Sequence, residues 1–93
     1  MEFSPEVLSV LKSKVTESSG AILMFLKSNY PKPYLQSTLI SKTGLSQYVG
    51  KIAFERLVAA GLIDHDEDTP GFVMYQLSEN GFNMLELIAQ GKI

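Results

Sequence analysis

The side chains best suited to chemistry lie in one short acidic run, Asp64-His65-Asp66-Glu67-Asp68. Acidic side chains at alternate positions begin a calcium-binding loop, but that loop needs a later carboxylate where this sequence has Tyr75. Pro70 also disfavours the loop conformation. We therefore interpret the run as the acidic, solvated tip of a β-hairpin, and we expect no metal ion and no other cofactor.

Sets of catalytic residues are not indicated anywhere in the sequence. His65 is the single histidine and there is no cysteine, so neither a thiol nucleophile nor a nucleophile paired with a histidine base is available. There is also no glycine-rich phosphate-binding motif. A lone histidine is more often a surface or hydrogen-bonded strand residue than a ligand or a base. The sequence predicts that the protein is not an enzyme.

The charged side chains are unevenly distributed along the 93 residues. Residues 1–57 carry seven basic and four acidic side chains, a net charge of +3, whereas residues 58–93 carry one basic and six acidic side chains, a net charge of −5. An anionic partner should therefore meet the first part of the chain. Hydrophobic residues make up 45% of the sequence and charged residues 19%, which indicates one folded domain.

Membrane insertion and export are not indicated. The longest apolar run covers residues 21–26, far below the roughly 20 residues that span a bilayer. The first residues lack the basic region of a secretory signal. We expect a cytoplasmic protein without a membrane partner.

Two helices are predicted before the prolines at positions 31 and 33. Ser4 is a good N-cap with Pro5 in the first helical position, so a helix is expected within residues 1–16. Residues 16–20 indicate a joint, and the second helix is expected over residues 19–28, before prolines that stop it.

A short helix is predicted next. Residues 34–36 are expected to be extended, and Ser37 or Thr38 can cap the helix that follows. Gly44 should end this helix in a left-handed conformation.

The helix after Gly44 contains a glycine in its second turn. Ser46 caps this helix, which should run to residue 60 and be closed by Gly61. Inside it, Gly50 costs roughly 0.5–1 kcal/mol relative to alanine. Two helices joined through a tight turn with glycine are typical of a helix-turn-helix. We expect Gly50 to lie where these helices cross, since a residue without Cβ allows a close approach; the alternative is that it is tolerated on an exposed face.

A β-hairpin and a final helix complete the pattern. Residues 62–66 and 72–77 are expected to form two strands around a turn at residues 67–71, and Ser78 should start the last helix. The single domain divides into an N-terminal helix (1–16), a core (19–77) and a C-terminal helix (78–93).

Three segments carry a resemblance to known proteins: Lys-Thr-Gly-Leu-Ser at 42–46, Glu-Arg-Leu-Val-Ala-Ala-Gly-Leu-Ile at 55–63 and Tyr-Gln-Leu-Ser-Glu-Asn-Gly at 75–81. In this order and spacing they resemble the winged helix-turn-helix transcriptional regulators of the MarR/PadR/ArsR kind, over residues 19–89. The resemblance implies an α+β, mostly helical fold: a three-helix core with a β-hairpin wing, plus N- and C-terminal helices.

The resemblance also implies a sequence-specific, DNA-binding regulator with helix 46–60 in the major groove of double-stranded DNA. The residues it places in the groove are Ser46, Gln47, Tyr48, Lys51, Ile52 and Glu55. Those it places beside the DNA backbone are Ser37, Thr38, Lys42, Lys27 and Lys32. Gln47 could pair with an adenine edge, and Lys51 could reach a guanine or a phosphate. Arg56 either joins them or lies beside an acidic group of its own chain.

Two features depart from DNA-binding members of this kind. Their wings usually carry basic residues at the tip, whereas this one offers Asp64, Asp66, Glu67 and Asp68. Val49 and Ile52 also make the recognition helix partly apolar. The alternative function is therefore a winged-helix protein–protein interaction module, with a protein partner in place of DNA.

The last helix is apolar around most of its circumference. Such a helix must be covered on nearly all sides, which is difficult within 93 residues. We expect a two-fold homodimer, which would space two recognition helices about 34 Å apart. The expected interface consists of Val7, Leu8, Leu11, Val15, Phe82, Leu85 and Ile88. The other possibility is that the first and last helices pack on each other within one monomer.

Overall fold

Five helices and three short strands are found in the computed structural model, which describes residues 2–66, 71 and 73–93. In chain order they are α1 (Pro5–Ser13), α2 (Glu17–Ser28), β1 (Tyr34–Leu35), α3 (Gln36–Lys42), α4 (Gln47–Ala59), β2 (Ile63–Asp66), β3 (Met74–Leu77) and α5 (Glu79–Ala89). The order of elements is the predicted one.

Serine caps start three of the helices where the sequence predicts them. The hydroxyls of Ser4, Ser46 and Ser78 each accept a hydrogen bond from the backbone N–H three residues along, at 2.9–3.3 Å. Gly44 and Gly61 adopt φ angles of 74° and 75° just after α3 and α4, as expected for glycines that end helices.

The start of α2 differs from the prediction. The helix begins at Glu17 rather than Ser19, because the Thr16 hydroxyl oxygen accepts a hydrogen bond from the Ser19 N–H at 3.1 Å. Thr16 is therefore an N-cap, and the residues expected to form a joint are the first turn of the helix.

The start of α3 also differs. Its N-cap position is occupied by Leu35, which makes no side-chain capping bond, and both Ser37 and Thr38 lie inside the helix. The predicted serine or threonine cap was wrong because α3 follows directly from β1, whose position is determined by strand pairing. The Thr43 hydroxyl acts at the other end, where it donates to the Leu39 carbonyl at 2.8 Å.

The three strands form an antiparallel sheet in the order β1-β3-β2. Strands β2 and β3 are the two predicted hairpin strands; β2 begins one residue later than predicted, at Ile63, and β3 is described from Met74. Of the predicted turn, residues 67–70 lie outside the described residues, as does residue 72. The extended segment 34–36 proves to be a third strand: Tyr34 pairs with Tyr75, and Leu35 with Met74.

The hydrophobic core lies where α2, α4 and the sheet meet. Its buried members include Ile22, Leu23, Leu26, Leu39, Ala53, Phe54, Leu57, Leu62, Ile63, Leu77 and Met84. Each large aliphatic side chain buried in this way stabilises the fold by roughly 1.5–3 kcal/mol. The core thus holds α4 by one face and leaves its other side to solvent.

Helices α1 and α5 pack against each other within the chain, which corrects part of the expected dimer interface. Leu8 is only 2% exposed because its own chain covers it, so it is not available to a partner. The Phe3 N–H donates to Asn80 Oδ1, and Lys12 Nζ donates to the Ile93 carbonyl, both at 2.7 Å. Val7, by contrast, is 44% exposed.

Within the described residues no helix combines the length and the apolar character needed to cross a membrane. No group of three or more acidic or histidine side chains in that part of the chain is arranged to hold a metal ion.

Candidate nucleic-acid interface

The crossing of α3 and α4 depends on Gly50. A Cβ added to Gly50 would lie 2.6 Å from Ile40 Cγ2 and 2.9 Å from Ile40 Cγ1. Ile40 is itself 2% exposed and cannot easily move aside. The prediction that the glycine lies at the helix crossing is confirmed, and the alternative of an exposed, tolerated glycine is excluded.

The burial of α4 separates a packed side from a solvent side. Gly50, Ala53, Phe54 and Leu57 are buried. Of the residues expected to enter a DNA groove, five are exposed and one, Ile52, is half-buried; the exposed ones are Ser46, Gln47, Tyr48, Lys51 and Glu55. The lysine of α4 is thus turned towards solvent, as a DNA-contacting helix requires.

Lys51 lies on the side of α4 nearest to α3 and the sheet. It lines two adjoining shallow grooves, one with Gln47 and Ser37 and the other with Glu55 and Tyr75. Gln36 lines both grooves. Four predicted residues, Ser37, Gln47, Lys51 and Glu55, are therefore brought together.

Gln36 and Tyr75 are site residues that the sequence analysis missed. Gln36 was expected in an extended segment, and Tyr75 was considered only as part of a motif and as the residue that replaces a calcium-binding carboxylate. The signal for Tyr75 was its place in a strand with alternating side chains, but which face it occupies depends on pairing with β1. Neither could be placed beside Lys51 without the sheet register.

The opposite side of α4 is more apolar. Tyr48 is 77% exposed and Val49 is 42% exposed. Val49 and Ile52 border a groove with Arg56 and with Thr16 and Ser18 from the start of α2. The helix therefore has the predicted apolar side chains, and they are accessible to solvent.

The other predicted lysines have different surroundings. Lys42 is exposed at the end of α3. Lys32 Nζ lies 5.3 Å from the centroid of the Tyr34 ring, at the edge of the sheet. Lys27 Nζ pairs with Glu86 Oε1 at 2.8 Å, the only ion pair within the described residues, and lies 4.7 Å from the Phe82 ring.

Arg56 makes no ion pair in the part of the chain that the structure describes. The expectation that it could lie beside an acidic group is therefore not supported there. Its side chain is exposed and borders the cavity next to Lys14 at the end of α1.

The acidic strand β2 departs from the simple solvated run that was predicted. Asp64 and His65 are exposed, but Asp66 is only 7% exposed and points away from solvent. Glu67 and Asp68 lie outside the described residues. At least one of the four acids is thus not part of a solvated tip, while His65 is the surface strand residue that was expected.

Comparisons of the whole chain with known proteins identify its fold. No protein-family profile matches the sequence, and no curated protein is significantly similar to it. Among solved structures, RV1404 from Mycobacterium tuberculosis has a TM-score of 0.73 and 20% identity, covering 94% of this chain and 59% of that one. NMB1585, a MarR family regulator from Neisseria meningitidis, has a TM-score of 0.66 and 17% identity, covering 88% and 58%.

The chain has a winged-helix fold. A third structure, the ST1889 protein from Sulfolobus tokodaii, has a TM-score of 0.58 and 22% identity, covering 89% of this chain and 84% of that one. All these identities are low, so the shared property is the fold. This chain spans 59% of the length of RV1404 and 58% of the length of NMB1585.

Proposed function

We propose that the protein is a sequence-specific, DNA-binding transcriptional regulator that inserts α4 into the major groove. The observation that carries the proposal is the exposed polar side of α4, with Lys51 and Gln47 next to α3 in a winged-helix fold. The likeness in fold to a MarR family regulator supports it.

The side chains along this edge of α4 have the chemistry for reading base pairs. A glutamine such as Gln47 can bond to both N6 and N7 of adenine, and a lysine such as Lys51 can donate to guanine O6 and N7 or to a phosphate. Lys42 at the end of α3 and Lys32 near the sheet would add contacts to phosphates, which position the protein without reading sequence.

The experiment begins with selection of bound sites from a random pool of duplex DNA at low salt. Fluorescence anisotropy of the selected duplex then compares the wild type with Lys51→Ala and with Lys14→Ala, a control at an exposed lysine at the end of α1. We expect Lys51→Ala to weaken binding about tenfold and to reduce the salt dependence by about one counterion. The control should leave both unchanged.

Two results would contradict the proposal. One is the absence of binding to any duplex in the selected pool at low salt. The other is equal affinity of the wild type and Lys51→Ala for a selected site, since this would show that α4 does not contact the DNA. A Gln47→Ala variant sharpens the result, because loss of a bidentate base contact should relax selectivity at one position by about 1–3 kcal/mol.

We further propose that the regulator acts as a homodimer through α1 and α5. Val7 and Val10 remain 44% and 56% exposed on α1. The remaining interface would be formed by Leu11, Val15, Phe82, Leu85 and Ile88, without Leu8. Sedimentation at micromolar concentration should give the mass of a dimer, and Val7→Lys should shift it towards the monomer; a monomeric wild type would contradict this part.

A second candidate function has its own supporting observation. The exposed Tyr48 and Val49, with Ile52 beside them, form an apolar surface that a protein partner could cover. In that case Tyr48→Ala would abolish co-purification of a protein from the native cell extract, and the purified complex would have the 260/280 nm absorbance ratio of pure protein. Nucleic acid in the complex would favour the first function.

A further inference from the structure

A cavity lies between the C-terminal end of α4 and the segment that joins α1 to α2. Its volume is about 420 Å³, within the range of sites that bind small molecules. The buried residues Ser19, Leu57 and Leu62 form its floor, and the exposed residues Lys14 and Arg56 lie at its mouth. The cavity is therefore closed by the core at one end and open to solvent at the other.

The walls of the cavity are aliphatic. Six apolar side chains line it: Leu11, Val15, Leu57, Ala59, Ala60 and Leu62. The Ser19 hydroxyl on the floor accepts a hydrogen bond from the Thr16 hydroxyl at 3.1 Å, so it does not depend on a ligand for a partner. No ring side chain is among the described residues that line the cavity. These walls therefore suit an alkyl chain better than an aromatic group, which gains from stacking on other rings.

The mouth of the cavity carries positive charge. Lys14 and Arg56 are basic, and none of the described residues around the cavity is acidic. Neither of the two makes an ion pair within that part of the chain. A planar guanidinium binds a carboxylate through two parallel hydrogen bonds, so Arg56 suits the head group of a carboxylic acid.

We propose that this cavity binds the anion of a medium-chain fatty acid. The alkyl chain lies between Leu11, Leu57 and Leu62, and the carboxylate remains at the mouth, where Arg56 binds it and Lys14 adds favourable charge. The site is independent of the proposed DNA-binding function, since Arg56 borders different grooves of α4 from those that Lys51 lines.

The other possible occupant is a second copy of the chain. Leu11 and Val15 also belong to the proposed dimer interface, so a partner's side chain could fill the same space. The basic mouth favours the fatty acid, because a side chain that only filled the aliphatic interior would leave Lys14 and Arg56 without an anion.

Isothermal titration calorimetry of the intact chain with hexanoate, octanoate and decanoate, each below its micelle-forming concentration, tests the proposal. We expect saturable binding of one molecule per chain. The affinity should rise by up to about fourfold for each added methylene, which is the effect of fully burying one CH₂ group. Decyltrimethylammonium has an alkyl chain of similar length and the opposite charge, and it should bind at least about tenfold more weakly than decanoate.

Two substitutions locate the site. Arg56→Gln removes the charge of an exposed side chain and should weaken decanoate binding about tenfold, the lower range for a hydrogen bond to a charged group. Ala60→Leu enlarges a half-buried side chain of the cavity wall and should also weaken binding, because it takes up space that the alkyl chain needs. The matched control is Lys92→Gln, which removes one positive charge at an exposed residue outside the cavity and should bind as the wild type does. Thermal unfolding shows whether each variant is folded at the temperature of the titration.

Several results would overturn the proposal. Absence of saturable decanoate binding to the wild type would refute it and would favour a second copy as the occupant. Equal affinities for decanoate and decyltrimethylammonium would refute the role of the basic mouth. Unchanged binding in Arg56→Gln, or an equal loss in Lys92→Gln, would place the fatty acid elsewhere. The selection of DNA sites uses no fatty acid, so its result is independent of all of these.

Discussion

The two sides of α4 differ in what constrains them. On the packed side, Gly50 and Phe54 are held by close contacts, so most substitutions there should affect folding. On the solvent side, Tyr48, Lys51 and Glu55 are exposed, so the packing of the core places little restriction on their side chains. The comparison teaches that packing positions this helix, whereas its exposed side chains determine what it binds.

The largest expected effect contrasts two aromatic residues of α4. Phe54→Ala should lower the free energy of unfolding by about 3–5 kcal/mol, because the ring is 4% exposed and its removal leaves a cavity. Tyr48→Ala, at a residue 77% exposed, should change it by about 0.5 kcal/mol or less. Urea denaturation measures both; comparable losses would remove the distinction between the two sides.

The next effect concerns the helix crossing. In Gly50→Ala, overpacking against Ile40 costs about 1–3 kcal/mol and should exceed the gain in helix propensity, for a net loss of about 1–2 kcal/mol. In an Ile40→Ala background only the position-40 Cβ remains close, 3.2 Å from the added Cβ, so the same substitution should cost about 0.5 kcal/mol or less. A double-mutant cycle measures this difference between the two backgrounds. If Gly50→Ala stabilises the protein in both backgrounds, then α3 and α4 do not depend on the close approach that a glycine allows.

A smaller effect separates a true helix cap from a wrongly expected one. Ser46→Ala should cost about 1 kcal/mol, because it removes the bond to the Val49 N–H at 3.2 Å. Ser37→Ala lies inside α3 and should be neutral or slightly stabilising, since alanine is the better helix former. Thermal unfolding of the two variants measures this difference. A loss of stability in Ser37→Ala as large as that in Ser46→Ala would contradict the assignment of the α3 start.

The smallest effect is expected on the solvent side. Glu55→Gln should leave the free energy of unfolding within about 0.5 kcal/mol of the wild type. It should strengthen binding to a random duplex about fivefold or less, since two unit charges about 4 Å apart in water interact by about 1 kcal/mol. Anisotropy at low salt measures the gain, with Glu6→Gln on α1 as the control. Unchanged affinity in Glu55→Gln would indicate that phosphates do not approach this side of α4.

Much of the fold was predictable because its signals act over a few residues. Ser4, Ser46 and Ser78 each cap the helix that follows, and Gly61 ends α4 in the expected conformation. The role of Gly50 was also predictable, since a glycine inside a helix calls for a packing reason. The exposed position of Lys51 was expected only from the resemblance to winged helix-turn-helix regulators.

Apart from the start of α2, which a local bond to Thr16 decides, the errors have a common physical origin in contacts between distant parts of the chain. The start of α3 was misplaced because β1 pairs with β3, some forty residues along the chain. Leu8 was assigned to a partner's interface because its cover within the same chain depends on how α1 docks. These arrangements result from packing that no local pattern reports.

The sequence by itself determined the caps at Ser4, Ser46 and Ser78, the helix-ending glycines, the amphipathic α4 and the division into a basic first part and an acidic second part. Each of these follows from a side chain's own conformational preference or charge. Only the tertiary structure decided that Gln36 and Tyr75 lie beside Lys51, that Lys27 pairs with Glu86 and that Asp66 is covered. Those neighbours come from three separate segments, and strand register and helix packing bring them together.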